Sequence, residues 1–325
     1  MGKILFSLGL VLLGLSVGYL LQVLLKRGTL RISTPIDGVR KRLQRAALLF
    51  FNPIAILGAT WVADLSSIKI ATMPVLGLFA LLWGGVLAFF GAKAFALSNR
   101  QTGAYIVSGG FTNIGSLGAL FCFIFLGEQG FALVPFYKLF EELAYYGVGF
   151  PIAKSFSQDF SGIDSLGARI KTVVTDIFVL AAVSGIGTGL VLNLSGIARP
   201  GIYSLVNSIF IPTAALLLLI SIGMAIRFEK ATVYLRPALF IAAIKFVLVP
   251  VTIVGLGYLA GLHHLDKGLP LKVVLILSAM PVGFIAMVPP TLYDLDIDLA
   301  NACWLLTNGL LVVLIPLLMF ILSLI

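Results

Sequence analysis

The sequence predicts an all-α membrane protein of ten transmembrane helices, and three observations carry that expectation. Sixty per cent of the 325 residues are apolar, 11% are charged and the mean hydropathy is +1.12, whereas a soluble domain carries about a quarter charged residues. Apolar runs long enough to cross a hydrocarbon core, about 20 helical residues each, recur along the chain between charged or Pro/Gly-rich joints. Lysine and arginine gather on alternate joints, the asymmetry that marks the cytoplasmic side of a membrane protein. The whole of 1–325 therefore reads as one membrane transport domain with no soluble domain.

The first run, Ile4 to Leu25, is about twice the length of a signal-peptide core and has no small-residue cleavage site, so 4–25 is read as a span. The following spans are placed at 46–63, 69–92, 104–126, 129–153, 173–195, 203–226, 235–261, 270–292 and 299–324. Polar residues and glycines interrupt 46–63 and 104–126, which places both inside protein rather than against lipid. Joints after odd-numbered spans hold Lys26, Arg27, Arg31, Arg40, Lys41, Arg42, Arg45, Lys93, Arg100, Lys154, Arg169, Lys171, Arg227, Lys230 and Arg236. The other side holds only Lys3, Lys69, Arg199, Lys267 and Lys272, so both termini are expected outside and residues 26–45 inside. The net charge of +9 is then a topology signal, with no nucleic-acid partner. Cys122 and Cys303 lie in apolar runs and act as small hydrophobes.

An odd number of spans per half inverts one half against the other, and short matches suggest such a repeat, about 1–155 and 170–325. Phe51-Asn52-Pro53-Ile54-Ala55 of the second span matches Phe210-Ile211-Pro212-Thr213-Ala214 of the seventh. Asn113-Ile114-Gly115 of the fourth matches Pro281-Val282-Gly283 of the ninth, and each is followed by an acidic turn, near Glu128 and near Asp294–Asp298.

The fourth span opens Ser108-Gly109-Gly110-Phe111-Thr112-Asn113-Ile114-Gly115-Ser116-Leu117-Gly118, four glycines and four hydrogen-bonding side chains in eleven residues. Gly109, Gly110, Gly115 and Gly118 let the helix open, and an opened helix exposes amides at a half-helix start, where the macrodipole attracts an anion. In the ninth span Pro281 removes a backbone donor and frees a carbonyl. Two broken helices that cross make a substrate site with fixed partial charges, for which Thr112, Asn113, Ser116, Pro281 and Gly283 are the candidates. Close packing of small residues between helices is the competing reading of the glycines.

These motifs resemble the auxin efflux carrier family, which groups plant auxin exporters with bacterial permeases for small organic anions. The similarity covers nearly the whole chain: Leu13-Gly14 and Gly18-Tyr19-Leu20-Leu21 before Lys26-Arg27, then Ile211-Pro212-Thr213-Ala214 leading to Ile222-Gly223-Met224. Asn113 and Gly118 stand at the asparagine and glycine of the family's first crossover. Residues 278–316 resemble its second crossover and last span, from Ala279-Met280-Pro281-Val282-Gly283 through Tyr293 and Leu299-Ala300 to Leu314-Ile315-Pro316. Many members have a proline where this chain has Leu120, which leaves the fourth span either broken or merely loosened by glycine. The resemblance implies a bile-acid-symporter-like fold with a scaffold of spans 1, 2, 6 and 7 and a moving part of spans 3–5 and 8–10. It also implies export or exchange of a small carboxylate by an elevator-like movement.

Ionisable groups inside spans are costly unless paired. Lys138, Glu141 and Glu142 stand at i, i+3 and i+4, so the lysine reaches one carboxylate and leaves another as a proton carrier or a structural residue. Lys245 is expected to snorkel toward the cytoplasmic side, with attraction of an anion as the alternative, and Asp176 to be solvated. Asp294, Asp296 and Asp298 lack the glycine and glutamate of a calcium loop and read as a cap on the last span. His263-His264 is too little for a metal site. No metal and no cofactor is expected. An intramembrane enzyme would need motifs absent from the chain, and a sodium-coupled bile-acid-type symporter would need several Glu, Gln and Asn side chains at the crossing. A non-transporting sensor would usually append a soluble segment. The expected partners are a small organic anion and the lipid bilayer of the cell's inner or plasma membrane, with a homodimer as a candidate assembly.

Overall fold

The computed structural model describes residues 2–27, 35–63, 67–157, 175, 177–226 and 232–324. The expectations placed on Arg31, Arg169, Lys171, Asp176, Arg227 and Lys230 lie outside the described residues. Within them the secondary structure is helical, with one isolated antiparallel bridge. Six helices are long and apolar enough to cross a membrane, or seven when Ile297–Gly309 and Leu311–Leu324, bent by 49°, count as one span. The chain is a multi-pass helical membrane protein.

The helices follow in order: α1 Gly2–Lys26, α2 Ile36–Ala46, α3 Asn52–Thr60, α4 Thr72–Ala94, α5 Asn99–Gly110, α6 Ala119–Tyr137, α7 Glu141–Ala144 and α8 Phe150–Ser155. After them come α9 Ile177–Leu194, α10 Ile202–Gly223, α11 Leu235–Ala243, α12 Val249–Leu259, α13 Leu269–Ser278, α14 Val288–Leu292, α15 Ile297–Gly309 and α16 Leu311–Leu324.

Several neighbours are one helix interrupted by a wide turn. Ala47–Phe51 joins α2 to α3, Tyr145–Gly149 joins α7 to α8 and Ile244–Leu248 joins α11 to α12, each as a π-helical turn. A proline stands two residues beyond each of them: Pro53, Pro151 and Pro250. Its ring crowds the carbonyl four residues back and its nitrogen donates nothing, so the chain widens to bonds of five residues, such as Asn52 N–H to Ala47 O. The helix in the second expected span accordingly starts at Ile36 rather than 46. Its basic face lies where Arg40 donates to the Ser221 carbonyl in the last turn of α10, 3.3 Å away, a cation at a helix C-terminus.

The residues divide into two compact units. One comprises Met1–Asp64, Ala119–Pro135 and Asp176–Arg227. In it α1 packs on α10 and α9 on α3. Gly18 and Gly223 face each other across α1 and α10, and a Cβ on either would collide with backbone of the opposite helix. That close approach is how helices associate where lipid removes the hydrophobic drive. Arg199 pairs with Glu128 and donates to the Gly58 carbonyl at 2.9 Å.

The other unit comprises Leu65–Gly118, Phe136–Thr175 and Phe228–Ile325. There α4 packs on α5, α11 on α15 and α12 on α13. Asp296 caps α15 by accepting from Leu299 N–H at 2.9 Å, as expected of the acidic turn, and also accepts from the Tyr234 hydroxyl at 2.7 Å. Asp294 pairs with Arg100 at 2.8 Å.

Candidate functional site

The site is built where two helices of the second unit stop. Helix α5 starts on a capping box, in which Ser98 and Gln101 exchange side-chain-to-backbone bonds, and ends at Gly110. Phe111 is extended (φ −83°, ψ 124°), Thr112 and Asn113 are non-helical, and a π-helical turn over Ile114–Gly118 leads into α6. Helix α13 ends at Ser278, Gly283 is extended (φ −72°, ψ 148°), and a 3-10 turn over Phe284–Met287 leads into α14. The stretch expected as the fourth span, 104–126, is therefore broken upstream of Leu120.

The two breaks pair with each other. Asn113 N–H donates to the Pro281 carbonyl at 2.9 Å and Gly283 N–H to the Phe111 carbonyl at 3.1 Å, setting Thr112 opposite Val282 in an antiparallel bridge. A Cβ on Gly283 would lie 3.0 Å from the Thr112 carbonyl, a tight contact that glycine avoids where the two backbones meet. Side chains seal the groups that the bridge leaves over. Thr112 N–H donates to the Tyr145 hydroxyl at 3.0 Å, Val282 N–H donates to Thr307 Oγ1 at 3.2 Å, and Asn308 Nδ2 donates to the Val282 carbonyl at 3.3 Å. Irregular backbone in an apolar medium persists only where its polar groups are satisfied like this.

The sequence-predicted residues are distributed as follows. Thr112 and Asn113 are buried, Ser116 is half-buried, and Pro281 and Gly283 lie in the opposing break. Gly109 is helical, and a Cβ on it would collide with Ala88 and with the backbone of Gly84 on α4, so its place is explained by close packing. Gly110 is the last residue of α5. Gly118 N–H donates to the Asn113 carbonyl at 3.1 Å, a five-residue bond that closes the π turn. No proline follows two residues on, as it does at the other three π turns. Asn113 Oδ1 substitutes for it by accepting from Leu117 N–H at 3.3 Å and from the Ser116 hydroxyl.

That arrangement fixes the orientation of the Asn113 amide, because Leu117 N–H can only donate and so faces the oxygen. The other end, Nδ2, is buried with no hydrogen-bond partner. An orphaned buried donor costs about 1–3 kcal/mol. It stands at the start of the half-helix beginning at Ile114, whose first amide turns back to the Thr112 carbonyl at 3.0 Å and whose fourth, Leu117 N–H, is met by Asn113 Oδ1.

Two cations flank this start. Lys138 Nζ lies 3.0 Å from where a Gly115 Cβ would stand, and it pairs with Glu141 at 2.8 Å. Lys245 is 2% exposed and donates to Thr112 Oγ1 at 2.6 Å. The expectation that Lys245 snorkels is therefore corrected: the π turn at Ile244–Leu248 turns it into the protein, where the Thr112 hydroxyl receives it. Glu141, 5% exposed, also accepts from the Tyr145 hydroxyl at 3.0 Å, while Glu142 is half-buried.

Sequence reasoning did not single out Tyr145, Thr307 or Asn308. Tyr145 stands four residues after Glu141 and so shares its helix face, and Thr307-Asn308 is a polar pair in the middle of an apolar run. Beside Phe111 and Tyr145 lies a cleft of about 440 Å³ between α4, α5 and the α7–α8 segment. Tyr145 is the only polar side chain in its lining, so the cleft suits hydrocarbon and not an anion.

No known protein-family model matches the chain, and no curated protein matches it significantly.

Proposed function

We propose that the chain is a secondary active transporter of a small organic anion, a carboxylate in the first instance, and a member of the auxin efflux carrier family. The observation that carries this is the unpartnered Asn113 amide at the head of a half-helix, flanked by Lys138 and Lys245. Amide donors, a positive helix end and the Lys245 ammonium, with Lys138 beside them paired to Glu141, make a set that suits a carboxylate. For a sodium symporter the crossing would need a gathering of carboxylates and amide oxygens; here Glu141 is paired with Lys138, and the Asn113 oxygen accepts from Leu117 N–H and the Ser116 hydroxyl.

The ten-span reading belongs to this proposal. Ile114–Ser155 is 42 residues long, about twice a membrane span. It is interrupted at Gly127 (φ 75°), which supports dividing it into a fourth and a fifth span. The antiparallel meeting of Asn113 with Pro281 supports an inverted repeat, and so does the contact of Phe51 with Phe210, whose rings lie 5.0 Å apart at repeat-related positions. The elevator reading draws support from the division into two units, which groups spans 1, 2, 6 and 7 apart from 3, 8, 9 and 10. Ala119–Pro135 of the fourth and fifth spans falls in the first group and the rest of both in the second. Termini are placed outside; in a variant lacking Cys122 and Cys303, a cysteine at position 40 should be labelled only from the inside, and labelling from outside intact cells would reverse the orientation.

Purified protein in liposomes, offered a panel of labelled carboxylates under pH or voltage gradients, tests the function. Saturable uptake or exchange of at least one is expected. Transport of only neutral or cationic solutes, or of none, overturns the reading.

A further inference from the structure

The apolar cleft of about 440 Å³ beside the helix break is buried at one wall and exposed at the other. Its deep wall holds Val107 and Phe111, 1% and 3% exposed. Its rim is Leu82 and Val86 on α4 with Val148 and Ile152 on the α7–α8 segment, all between 37% and 42% exposed. Water has little to bond there, because the Tyr145 hydroxyl is already engaged by Thr112 and Glu141. In a membrane the neighbour at that rim is lipid. Along α4 the cleft runs from Leu81 to Phe89, about 12 Å at the helical rise, and one leaflet of the hydrocarbon core is about 15 Å deep.

One end of the cleft is basic. Lys93 stands one turn beyond Phe89, its ammonium 4.4 Å from the centre of that ring. Lys154 lies in the last turn of α8, between the lining residues Ile152 and Phe156. A Cβ on Gly103, in the second turn of α5, would come within 2.9 Å of Phe156, so α8 ends beside the joint of α4 and α5, at the same end as Lys93. Among the described residues neither lysine pairs with a carboxylate. We propose that the cleft binds one anionic phospholipid of the surrounding bilayer. Its acyl chain lies between α4 and the α7–α8 segment, with the tip against Phe111 and Tyr145, and its phosphate rests on Lys93 and Lys154. The tail then packs on two rings 4.2 Å apart at the break, one of which holds both backbone groups of Thr112. The site depends on the membrane setting and not on what the chain carries.

The test is photolabelling of the purified full chain in phosphatidylcholine vesicles. The probes are phosphatidylglycerol and phosphatidylcholine, each carrying a diazirine near the end of one acyl chain, with adducts mapped by peptide sequencing. Lipid that only surrounds the protein reaches exposed side chains, whereas a chain inside the cleft also reaches Val107 and Phe111. Adducts at residues 107–111 are expected, about tenfold or more stronger with the phosphatidylglycerol probe, and the double variant Lys93→Gln, Lys154→Gln should bring the two probes level. Gly85→Leu fills the cleft, since a Cβ there meets nothing nearer than 3.7 Å, and should abolish labelling at 107–111 while exposed residues still react. Should Gly85→Leu give no folded protein, Val148→Trp fills the cleft from the opposite wall. Adducts confined to exposed residues, equal labelling of wild type by both probes, or labelling at 107–111 that survives the filled cleft or the loss of both lysines overturns the site.

Discussion

Asn113→Asp is expected to weaken anion binding by more than about a hundredfold while leaving the helix break folded. The aspartate keeps the oxygen that accepts from Leu117 N–H and the Ser116 hydroxyl, so the π turn over Ile114–Gly118 retains its closure. What changes is the far end of the side chain, where a donor without a partner becomes a second acceptor. A hydrogen bond to a charged group is worth roughly 1.5–3 kcal/mol, or about ten- to a hundredfold, and like-charge repulsion adds to that loss. Asn113→Ala should lose about ten- to a hundredfold in affinity and, because it also deletes the cap, about 1 kcal/mol of stability. Half-saturation in liposomes, read beside melting temperature, separates the two effects. Unchanged half-saturation and rate in both variants would place the site elsewhere.

Glu141→Gln is expected to destabilise the protein by on the order of 3 kcal/mol, because it removes the partner of Lys138 and weakens the acceptor for Tyr145. Loss of that acceptor also disturbs the hydroxyl that seals the Thr112 backbone. Glu142→Gln, at a half-buried position, should lower melting less than Glu141→Gln, which removes the carboxylate paired with Lys138 at 2.8 Å. It is then the variant that reports coupling: if Glu142 carries the proton, pH-driven uptake is lost while exchange at equal gradients survives. Equal destabilisation in both variants would show that the two carboxylates share Lys138; no destabilisation in either would show that the 2.8 Å pair contributes nothing to folding.

Composition and the recurrence of apolar runs determined the helical membrane class, because a continuous apolar run of about 20 residues satisfies its backbone within the run only as a helix. Proline positions were legible only as candidates: Pro53, Pro151 and Pro250 each follow a widened turn, whereas Pro135, Pro212 and Pro316 lie inside α-helices without one. The crowding of glycine and polar residues from Ser108 to Gly118 announced a disrupted helix. Which of those residues break it was not legible, because Gly109 serves packing against α4 and the chain opens only at Phe111. That choice depends on Pro281 and Gly283 arriving from another helix to take up the freed amide and carbonyl. Lys245 was undecidable for the same reason. A long side chain in an apolar run snorkels or turns inward according to what lies within its reach, and the Thr112 hydroxyl stands 133 residues away along the chain but 2.6 Å away in the fold.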